Sequence, residues 1–428
     1  MKFKIYTLGC KVNQFESQAM EKMLRERGFE EGEPADAYII NTCTVTAESD
    51  RKSRQIIRRA RKIAPGAVVA VCGCYSQTHG PELTDADVVF GTGDKQAFVE
   101  SVCKAVREKK RLCSVSEVLT KGLPFEKLTA GSLSGRTRSM LKVQDGCQNF
   151  CAYCIIPYAR GPIRSLPLRD AVDEAKRLAG EGCLELIVTG IEISSYGLDT
   201  PGGPGLIELT ESLCAVSEDM RIRLGSLEPR TVTEEFCRRL SRLKNLCDQF
   251  HLSLQSGSDS VLRRMGRKYD TARYYESVTL LREYFPGCAV TTDVITGFPG
   301  ETEEEFDETL EFIKKCAFAR MHVFPYSKRE GTRAATMPGQ VERSVREERA
   351  HRVRMEAKKM SEYYMRSCIN KTLSVLFETD CTGHAPNYTE VRAYAGMGLQ
   401  PSQPLRGQIR GVFITGVENG MLIGELAE

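Results

Sequence analysis

One segment decides the fold: Cys147–Gln–Asn–Phe–Cys151–Ala–Tyr–Cys154, which follows a strand-like run and the turn-prone pair Asp145–Gly146. Three thiolates at this spacing can bind three irons of a [4Fe–4S] cube. No fourth cysteine follows at the spacing of a ferredoxin, so one iron would stay open, as a catalytic metal site requires. The amine and carboxylate of an amino acid could chelate that iron. The alternative is a structural zinc site with a distant fourth ligand, but zinc ligands usually come as two Cys-x2-Cys pairs.

Strands and helices alternate around and after this segment. The strand-like runs are Met140–Gln144, Leu184–Thr189, Arg221–Gly225, Gln249–Gln255, Ala289–Ile295 and Ala319–Phe324. Helical patterns lie between them, as at Thr271–Glu283 and Thr302–Lys315. This alternation predicts a partial (β/α)6 barrel, whose chemistry is expected at the carboxyl ends of the strands.

A second alternating series precedes the segment. Its strand-like runs are Phe3–Leu8, Ala37–Ile40, Ala67–Val71 and Asp87–Phe90, with helical patterns between them. Such alternation predicts an α/β domain with a parallel sheet. Cys10, Cys43 and Cys74 each fall just after a strand, at the edge where such sheets bind ligands.

The three cysteines of this first series leave two alternatives open. They could be unrelated buried residues, since free cysteine packs as a small apolar side chain. Cys72 also competes with Cys74 for the role of third ligand. We favour Cys74, because Cys72 still lies within the strand run.

The chain is therefore predicted to be an α/β protein with three domains. Residues 1–110 form the N-terminal domain and residues 111–136 a linker without clear periodicity. Residues 137–369 form the barrel and end in a long charged helix, Val341–Ile369. Short β runs separated by turn residues predict a small antiparallel β barrel or sandwich in residues 370–428.

Composition limits the class of protein. The 428 residues carry a net charge of only +3, so overall charge does not by itself indicate a nucleic-acid partner. No apolar run is long enough to span a membrane and the start lacks the features of a signal peptide, so the cytoplasm is the expected location. The 17 cysteines are an odd number in a chain too large to need disulfides, and they are expected to be metal ligands or packing residues.

The Cys-x3-Cys-x2-Cys spacing, with Tyr153 before the last cysteine, resembles the radical S-adenosylmethionine superfamily. The resemblance implies that the open iron binds the methionine part of S-adenosylmethionine. It also implies that an electron from the cluster breaks a sulfur–carbon bond and gives a 5′-deoxyadenosyl radical. The cofactor would carry the difficult chemistry, and the protein would position and shield it.

The N-terminal motifs resemble those of the methylthiotransferase family. They read Thr7–Leu–Gly–Cys10–Lys–Val–Asn–Gln14, Asn41–Thr–Cys43–Thr–Val–Thr46 and Cys72–Gly–Cys74–Tyr–Ser–Gln77. The resemblance implies that Cys10, Cys43 and Cys74 hold a second [4Fe–4S] cluster, which carries sulfur on its open iron. One S-adenosylmethionine would methylate that sulfur and a second would supply the radical. Residues 370–428 resemble a TRAM domain, a small β module that binds RNA.

The resemblance and the barrel pattern together suggest residues that bind the cofactor. Gly190 would let the methionine amine approach the backbone, a carboxylate at Glu228 would accept ribose hydroxyls, and the planar fork of Arg267 would pair with the cofactor's carboxylate. The alternatives are a loop cap at residues 190–192 and a surface salt bridge for Arg267. The full expected set is Tyr153, Gly190, Glu192, Ser226, Glu228, Ser253, Gln255, Arg267 and Gly297.

The substrate implied by the resemblance is a tRNA anticodon stem-loop. The wording of the first two motifs is most similar to the subgroup that acts on N6-threonylcarbamoyladenosine at position 37, beside the anticodon. Lys11, Asn13 and Gln14 are expected to contact it. An unidentified electron donor and sulfur source are further expected partners, and no membrane is. The alternatives are N6-isopentenyladenosine, a ribosomal-protein aspartate, or a structural iron–sulfur protein that binds RNA.

Two basic helices and the C-terminal module could contact RNA phosphates. Such helices are more often solvated faces, and residues 370–428 hold four Lys and Arg against six Asp and Glu. Stacking by Tyr388 or Tyr394 would therefore have to contribute to binding. The basic residues are Arg51, Lys52, Arg54, Arg58, Arg59, Arg61 and Lys62 on the first helix, and Arg343, Arg346, Arg349, Arg352, Arg354, Lys358 and Lys359 on the second.

Overall fold

A computed structural model describes residues 1–108, 112–115, 124–129, 137–394 and 404–427. The first unit is a parallel sheet with helices on both faces. Its strands are β1 (Lys2–Thr7), β2 (Glu30–Glu31), β3 (Ala37–Thr42), β4 (Val68–Gly73), β5 (Val88–Phe90) and β6 (Leu112–Ser114). Its helices are α1 (Lys11–Glu26), α2 (Ala47–Ile63), α3 (Cys74–His79) and α4 (Lys95–Glu108).

The sheet has the strand order β2-β1-β3-β4-β5-β6, with every pair parallel. Every residue of β3 and β4 is buried, as expected for strands covered by helices on both faces. The order reverses between β1 and β3, which opens a crevice at the carboxyl ends of these strands. The predicted parallel-sheet α/β fold is confirmed for this unit.

The predicted linker 111–136 is wrong near its start. Leu112–Ser114 forms strand β6, which pairs with Val88–Phe90 at the edge of the sheet. Three residues are too few to show a strand's period of two, so the sequence pattern gave no signal here. Residues 109–111, 116–123 and 130–136 of this region lie outside the described residues.

The second unit is an open barrel. Its strands are β7 (Arg138–Asp145), β8 (Arg164–Ser165), β9 (Glu185–Gly190), β10 (Arg221–Leu224), β11 (Ser226–Leu227), β12 (Gln249–Leu252), β13 (Ala289–Thr296) and β14 (Arg320–Pro325). Its helices are α5 (Ile156–Arg160), α6 (Leu168–Gly180), α7 (Leu206–Cys214), α8 (Glu234–Leu240), α9 (Asp259–Met265), α10 (Thr271–Tyr284), α11 (Glu303–Cys316) and α12 (Arg343–Arg366).

The barrel consists of two four-stranded sheets that follow one another along the chain. Their orders are β10-β9-β7-β8 and β11-β12-β13-β14, and Gly225 alone separates β10 from β11. Apart from the short antiparallel strand β8, all pairs are parallel. The predicted partial barrel is thereby confirmed, and the carboxyl ends of its strands form one rim.

The third unit is a closed five-stranded barrel. Its strands are β15 (Thr372–Phe377), β16 (Thr382–His384), β17 (Glu390–Tyr394), β18 (Ile409–Glu418) and β19 (Met421–Leu426). The closed order is β15-β16-β17-β19-β18, and only the β17–β19 pair is parallel. The predicted small β module is confirmed, but the expectation of purely antiparallel pairing is wrong. An odd number of strands cannot close a ring with every neighbour antiparallel.

The small barrel is attached to the amino end of the large one through arginines. Arg223 donates to the carbonyl of Pro386 at 2.7 Å, and Arg221 donates to the carbonyl of Ser374 at 2.7 Å. The ring of Tyr388 lies 4.6 Å from the guanidinium of Arg223. The guanidinium of Arg138 lies 5.4 Å from the same ring. Tyr388 is thus an anchor of the small barrel, and because its ring already packs on Arg223, Arg138 and His384, its role in stacking on RNA stays a prediction.

Replacing this anchor should loosen the small barrel. We expect Tyr388→Ala to lower the free energy of unfolding by about 1–2 kcal/mol, because two cation–π contacts and the packing of the ring are lost. Chemical denaturation measures the change. Tyr388→Phe is the matched control and should behave like the wild type, since these contacts use the ring. An equal loss in both variants would contradict the interpretation.

Within the described residues, no helix has the length and apolar character needed to cross a membrane.

Candidate active site

Cys10, Cys43 and Cys74 lie at the carboxyl ends of three neighbouring strands. Cys43 and Cys74 follow β3 and β4 directly, and Cys10 comes three residues after the end of β1, so the chain direction brings them to one edge of the sheet. Burial raises the pKa of Cys74 to about 12, and negative charge on Cys10 and Cys43 contributes to the rise. The geometry links the two ends of the set: the sulfur of Cys10 lies 3.9 Å from Oδ1 of Asn13, the same oxygen accepts from Arg160, and Arg160 also donates to the sulfur of Cys74. Cys10 is exposed at this edge, whereas the other two are buried.

Two glycines allow this approach. Gly9 has φ = +96°, and a Cβ there would lie 2.7 Å from the sulfur of Cys43. Gly73 has φ = +101°, and a Cβ there would lie 2.5 Å from the carbonyl oxygen of Thr42. Both positions therefore need a residue without a side chain, because the cysteine loops touch at these points.

Cys72 points away from the other thiols. Its sulfur lies 3.9 Å from the sulfur of Met20, inside the apolar core on the α1 side of the sheet. Cys74 instead begins α3 and accepts a hydrogen bond from Nε of Arg160 at 3.3 Å. This geometry favours Cys74 as the third ligand.

The two cysteines should therefore respond differently to substitution. Cys74→Ala is expected to lower the iron content of the reconstituted protein from about eight to about four per chain, because one cube loses a ligand. Cys72→Ala should keep its iron and lose only about 1 kcal/mol of stability through a small packing defect. Iron and sulfide analysis of the two purified variants measures the difference. The reverse pattern would make Cys72 the ligand.

The predicted substrate contacts differ in their surroundings. Asn13 is buried, and its amide donates to the carbonyls of Leu8 at 2.7 Å and Thr42 at 2.8 Å. Its oxygen accepts from Arg160 at 2.7 Å. The expectation that Asn13 contacts substrate is therefore contradicted, because its polar atoms already hold the cysteine loops in place.

The neighbours of Asn13 remain available. Gln14 is exposed. Part of Lys11 is also exposed, yet desolvation lowers its pKa, and the charges of Arg223 and Arg138 add to that effect. Contacts of Lys11 and Gln14 with the substrate stay predictions.

The second triplet, Cys147, Cys151 and Cys154, occupies the loop after β7. Burial raises the pKa of Cys154 to about 12, with contributions from the charges of Cys151 and Cys147. The backbone N–H of Ala152 donates to the carbonyl of Met265 at 2.7 Å, which fixes the middle of the loop. The backbone N–H of Cys154 donates to the carbonyl of Cys151 at 2.9 Å, so these two cysteines lie in one tight turn at the rim of the barrel.

Arg267 is half-buried beside this loop. It donates to the sulfur of Cys151 at 3.2 Å and approaches the carbonyl of Ser253 at 3.5 Å. Its guanidinium lies over the ring of Tyr269 at 4.8 Å. The alternative of a surface salt bridge is therefore excluded, and a fixed cation stands next to the cysteine loop.

The remaining expected cofactor residues ring the same rim. Gly190 ends β9 against Gln144, whose side-chain oxygen accepts the N–H of Glu192 at 2.8 Å. The Glu192 carboxylate accepts the N–H of Ser194 at 3.0 Å, as a loop cap would. Burial raises the pKa of Glu192, and the nearby charge of Glu228 adds to the rise. The geometry thus supports the capping alternative for Glu192.

Glu228 and Ser226 lie next along the rim. The Glu228 carboxylate accepts from Nε of Arg230 at 3.0 Å, so its own chain already partners it. Ser226 is exposed. Ser226 is therefore accessible to a ligand, whereas the Glu228 carboxylate is already bound by Arg230.

Gln255, Gly297 and Tyr153 complete the rim. Gln255 is a buried non-glycine residue with φ = +72°, held by an N–H bond of 2.9 Å to the carbonyl of Asp293. A Cβ at Gly297 would lie 2.2 Å from Cγ of Arg346, so the long helix α12 lies directly against this turn. Tyr153 packs edge-to-face on Phe298, with ring centroids 6.5 Å apart.

Three of the α12 arginines that were predicted as possible phosphate contacts bind groups of the barrel instead. Arg349 is buried and bonds the Glu301 carboxylate at 2.8 Å. Arg352 bonds Asp307 at 2.9 Å, and Arg346 donates to the carbonyl of Tyr326. These three side chains attach the helix to the barrel and do not form a phosphate-binding face.

Arg160 connects the two triplets. It ends α5, the helix that begins just after Cys154, and it contacts Cys74 in the other unit. It also bonds Glu16 of α1 at 2.6 Å. Lys142 of β7 bonds the same carboxylate at 2.9 Å. One buried ionic network therefore ties the helix that follows the second cysteine set to the first set.

A second contact holds the units together. Arg329, in the loop after β14, donates to Oγ1 of Thr44 at 2.6 Å and pairs with Asp50. The N–H of Ala47 donates to Oγ of Ser327 at 3.1 Å. The loop that follows Cys43 is thus fixed over the mouth of the barrel.

The donor sets fit two [4Fe–4S] clusters. Each set gathers three thiols and places one arginine against a sulfur atom, which suits anionic thiolates. The raised thiol pKa values do not oppose this, because a metal-bound thiol is deprotonated outright. Within the described residues all 17 cysteines are free thiols.

The sequence did not reveal Arg160, Glu16 or Lys142. Glu16 and Arg160 are 144 residues apart and belong to different units, so no local spacing signals their contact. In the sequence, the only indication was that the acidic residue Glu16 falls among the apolar positions of α1.

Comparisons with known proteins agree with this geometry. Residues 141–313 match the Radical SAM superfamily, and residues 2–91 match an uncharacterized protein family, UPF0004. Threonylcarbamoyladenosine tRNA methylthiotransferase MtaB of Bacillus subtilis (strain 168) is 41% identical over 87% of this chain and 84% of its own length. The tRNA-2-methylthio-N(6)-dimethylallyladenosine synthase of Oleidesulfovibrio alaskensis is 36% identical over 88% of this chain and 83% of its own.

A solved structure shares the fold. The radical S-adenosylmethionine methyltransferase TsrM from Kitasatospora setae, with cobalamin and a [4Fe–4S] cluster bound, superposes with a TM-score of 0.57. The match covers 78% of this chain and 76% of that one at 16% identity, so it supports the fold alone.

Proposed function

The chain belongs to the tRNA methylthiotransferase family of radical S-adenosylmethionine enzymes, and from that membership we propose that it places a methylthio group on C2 of N6-threonylcarbamoyladenosine at position 37 of tRNA. One observation carries the proposal. Two cysteine triplets lie at the carboxyl edges of two parallel sheets, and Arg160 joins them.

The reaction needs two functions close together. Replacing hydrogen on an unactivated aromatic carbon requires a hydrogen-abstracting species and a sulfur donor. When bound, the [4Fe–4S] cluster at Cys147, Cys151 and Cys154 supplies the electron that cleaves S-adenosylmethionine, and the cluster at Cys10, Cys43 and Cys74 holds the sulfur to be transferred. An enzyme with only one of the two sets could not do both.

The chain's own residues hold the site in place. Arg160 and Asn13 fix the first set, and Arg267 fixes the loop of the second. Arg329, which follows β14, binds Thr44 and Asp50, and we expect the segment 44–50 to limit the access of water to the site. Exclusion of water protects a reactive radical from side reactions.

The preference for the threonylcarbamoyl nucleoside rests on similarity. The Bacillus subtilis relative named for that nucleoside shares 41% of aligned residues, against 36% for the Oleidesulfovibrio alaskensis relative named for the dimethylallyl one. The free thiols and the tRNA substrate favour a cytoplasmic location. A reducing protein and a sulfur source are required partners of the reaction.

Mass spectrometry of tRNA nucleosides tests the proposal. In a strain lacking the gene, the methylthio group should disappear from the threonylcarbamoyl nucleoside alone, and the wild-type gene should restore it. A Cys151→Ala gene should fail to restore it. Loss from the isopentenyl nucleoside instead would overturn the choice of substrate.

A structural role for the clusters is the second candidate. The RNA-binding module at the C-terminus would suit a non-catalytic protein as well. Release of 5′-deoxyadenosine by the reduced protein excludes that role, because structural clusters do not cleave S-adenosylmethionine.

A further inference from the structure

Three side chains on one face of β14 are exposed to the barrel interior. Arg320, His322 and Phe324 alternate with Met321 and Val323, which pack into the apolar core outside the barrel. The side chain of His322 is 51% exposed and Phe324 is 45% exposed. Inward-facing residues of closed barrels usually fill the interior in packed layers. Here the inner face of β14 is open to a ligand.

Hydrogen bonds orient the middle of this face. In the strand register, Asp293 of β13 lies beside His322, and Nδ1 of His322 is 3.1 Å from its carboxylate. The other carboxylate oxygen lies 3.4 Å from Nε2 of His251. Nδ1 of His251 lies 3.1 Å from Oγ1 of Thr291.

This chain of bonds assigns the ring protons. A carboxylate only accepts, so Nδ1 of His322 carries the proton that faces Asp293. Nε2 of His322 is then left as an acceptor on a side chain that is 51% exposed. The same bonds account for the closeness of His251, Asp293 and His322, whose ligand atoms all lie within 4.8 Å of one another.

The open face is continuous with the cysteine loop. Ile295 is the register neighbour of Phe324 and packs against the apolar cluster that includes Ala152, which lies between Cys151 and Tyr153. Residues on one face of a strand are spaced by roughly 6.6 Å. Phe324 is therefore nearest the rim that carries the expected cofactor residues. His322 lies roughly 6.6 Å further along the strand from that rim, and Arg320 roughly twice as far.

Arg320 has no committed partner. Across the described residues, its side chain makes no ion pair and donates no hydrogen bond, in contrast to the side chains of Arg223 and Arg138. Its planar fork can bind a carboxylate through two parallel bonds. An exposed aromatic ring, an oriented imidazole and a free guanidinium therefore lie in a row.

We propose that the inner face of β14 binds the modified adenosine, with Phe324 stacking on the purine, His322 accepting a hydrogen bond from the N6 substituent, and Arg320 binding the carboxylate of the threonylcarbamoyl group. This assignment rests on the proposed function. A purine on Phe324 lies next to the rim where the chemistry occurs, and its N6 substituent extends down the strand toward Arg320. An isopentenyl group has no carboxylate, so Arg320 is a specificity-determining residue between the two substrates.

RNA binding by the reconstituted full-length protein tests the assignment. Three anticodon stem-loops are compared: one with N6-threonylcarbamoyladenosine, one with its carboxylate converted to an amide, and one with plain adenosine. The wild type should bind the acid at least about tenfold more tightly than the amide, since a charge-assisted bond is lost. Arg320→Ala should bind acid and amide equally.

Two further variants make the test specific. Phe324→Leu should weaken binding of all three RNAs by a similar factor, about 5-fold or more, because stacking does not depend on the substituent. Arg242→Ala removes another exposed arginine, which follows α8, and should keep the preference of the wild type. Thermal unfolding confirms that each variant is folded.

The outcomes separate this assignment from the proposed function. If Arg320→Ala keeps the preference for the acid, the carboxylate site is elsewhere and the assignment is overturned. If the wild type methylthiolates the threonylcarbamoyl RNA but binds acid and amide equally, only the assignment fails. If the wild type modifies isopentenyl RNA instead, the proposed function itself fails.

Discussion

Cys151→Ala is expected to abolish the release of 5′-deoxyadenosine. Cys151 is the buried middle member of its triplet and the one bonded by Arg267 at 3.2 Å. Without it, two protein ligands remain for a cube that needs three, and the iron content should fall from about eight to about four per chain. Anaerobic assay with a chemical reductant and S-adenosylmethionine measures the first effect, and iron analysis the second.

Cys237→Ala is the matched control for this experiment. Cys237 is fully buried in the apolar core around α8, far from both triplets in the chain. It should keep both the iron and the activity and show only a packing loss of about 1 kcal/mol. If Cys151→Ala still released 5′-deoxyadenosine, residues 147–154 would not hold the reactive cluster.

Arg160→Met is expected to cause the largest loss of stability. The guanidinium is completely buried and bonds Glu16, while Asp145 lies 3.4 Å from it. Removing it leaves buried carboxylates short of positive charge, which typically costs about 3–5 kcal/mol. Denaturant unfolding of the purified protein measures the change. Arg25→Met, which breaks an exposed pair with Glu21 on α1, should cost less than about 1 kcal/mol.

A double variant tests the cause of that loss. Glu16→Gln combined with Arg160→Met removes both charges, so part of the stability should return. If the double variant is no more stable than Arg160→Met, the loss reflects packing alone and the ionic explanation is contradicted.

The same network predicts how acid affects stability. Burial alone would raise the pKa of Glu16, yet Arg160, Lys142 and Lys95 lower it from 4.5 to about 2. Ionised Glu16 therefore stabilises the fold fully above pH 4.5, and this contribution is lost as the pH falls toward 2. The free energy of unfolding should drop between pH 5 and 3 by less in Glu16→Gln than in the wild type. Equal drops would show that Glu16 does not titrate in this way.

Local patterns were sufficient for the elements and the cysteines. Strand ends placed Cys10, Cys43 and Cys74 at one edge, because carboxyl ends of parallel strands meet there. Local patterns failed for a strand that is too short to show a period, and for a strand pair that depends on how the whole small barrel closes. Strand β6 is three residues long, and the parallel β17–β19 pair follows from closing an odd-numbered ring.

Contacts between residues that are distant in the chain also could not be predicted from the sequence. The bond from Arg160 to Asn13 joins residues 147 apart, and it converts an expected substrate contact into a positioning residue. Arg349 appeared to be part of a basic surface, but its partner Glu301 lies on another element. Side chains whose partners are distant in the chain carry no signal in a single sequence.

Helix α5 has a consequence for how the protein can vary. It spans only Ile156–Arg160, begins after Cys154, and ends on the residue that contacts Cys74. An α-helix turns by about 100° and advances about 1.5 Å with each residue. Adding or removing one residue would swing the guanidinium out of reach of both sulfur and carboxylate. The length of this helix sets the position of the guanidinium, so the segment should tolerate no insertion, even at positions where substitutions are tolerated.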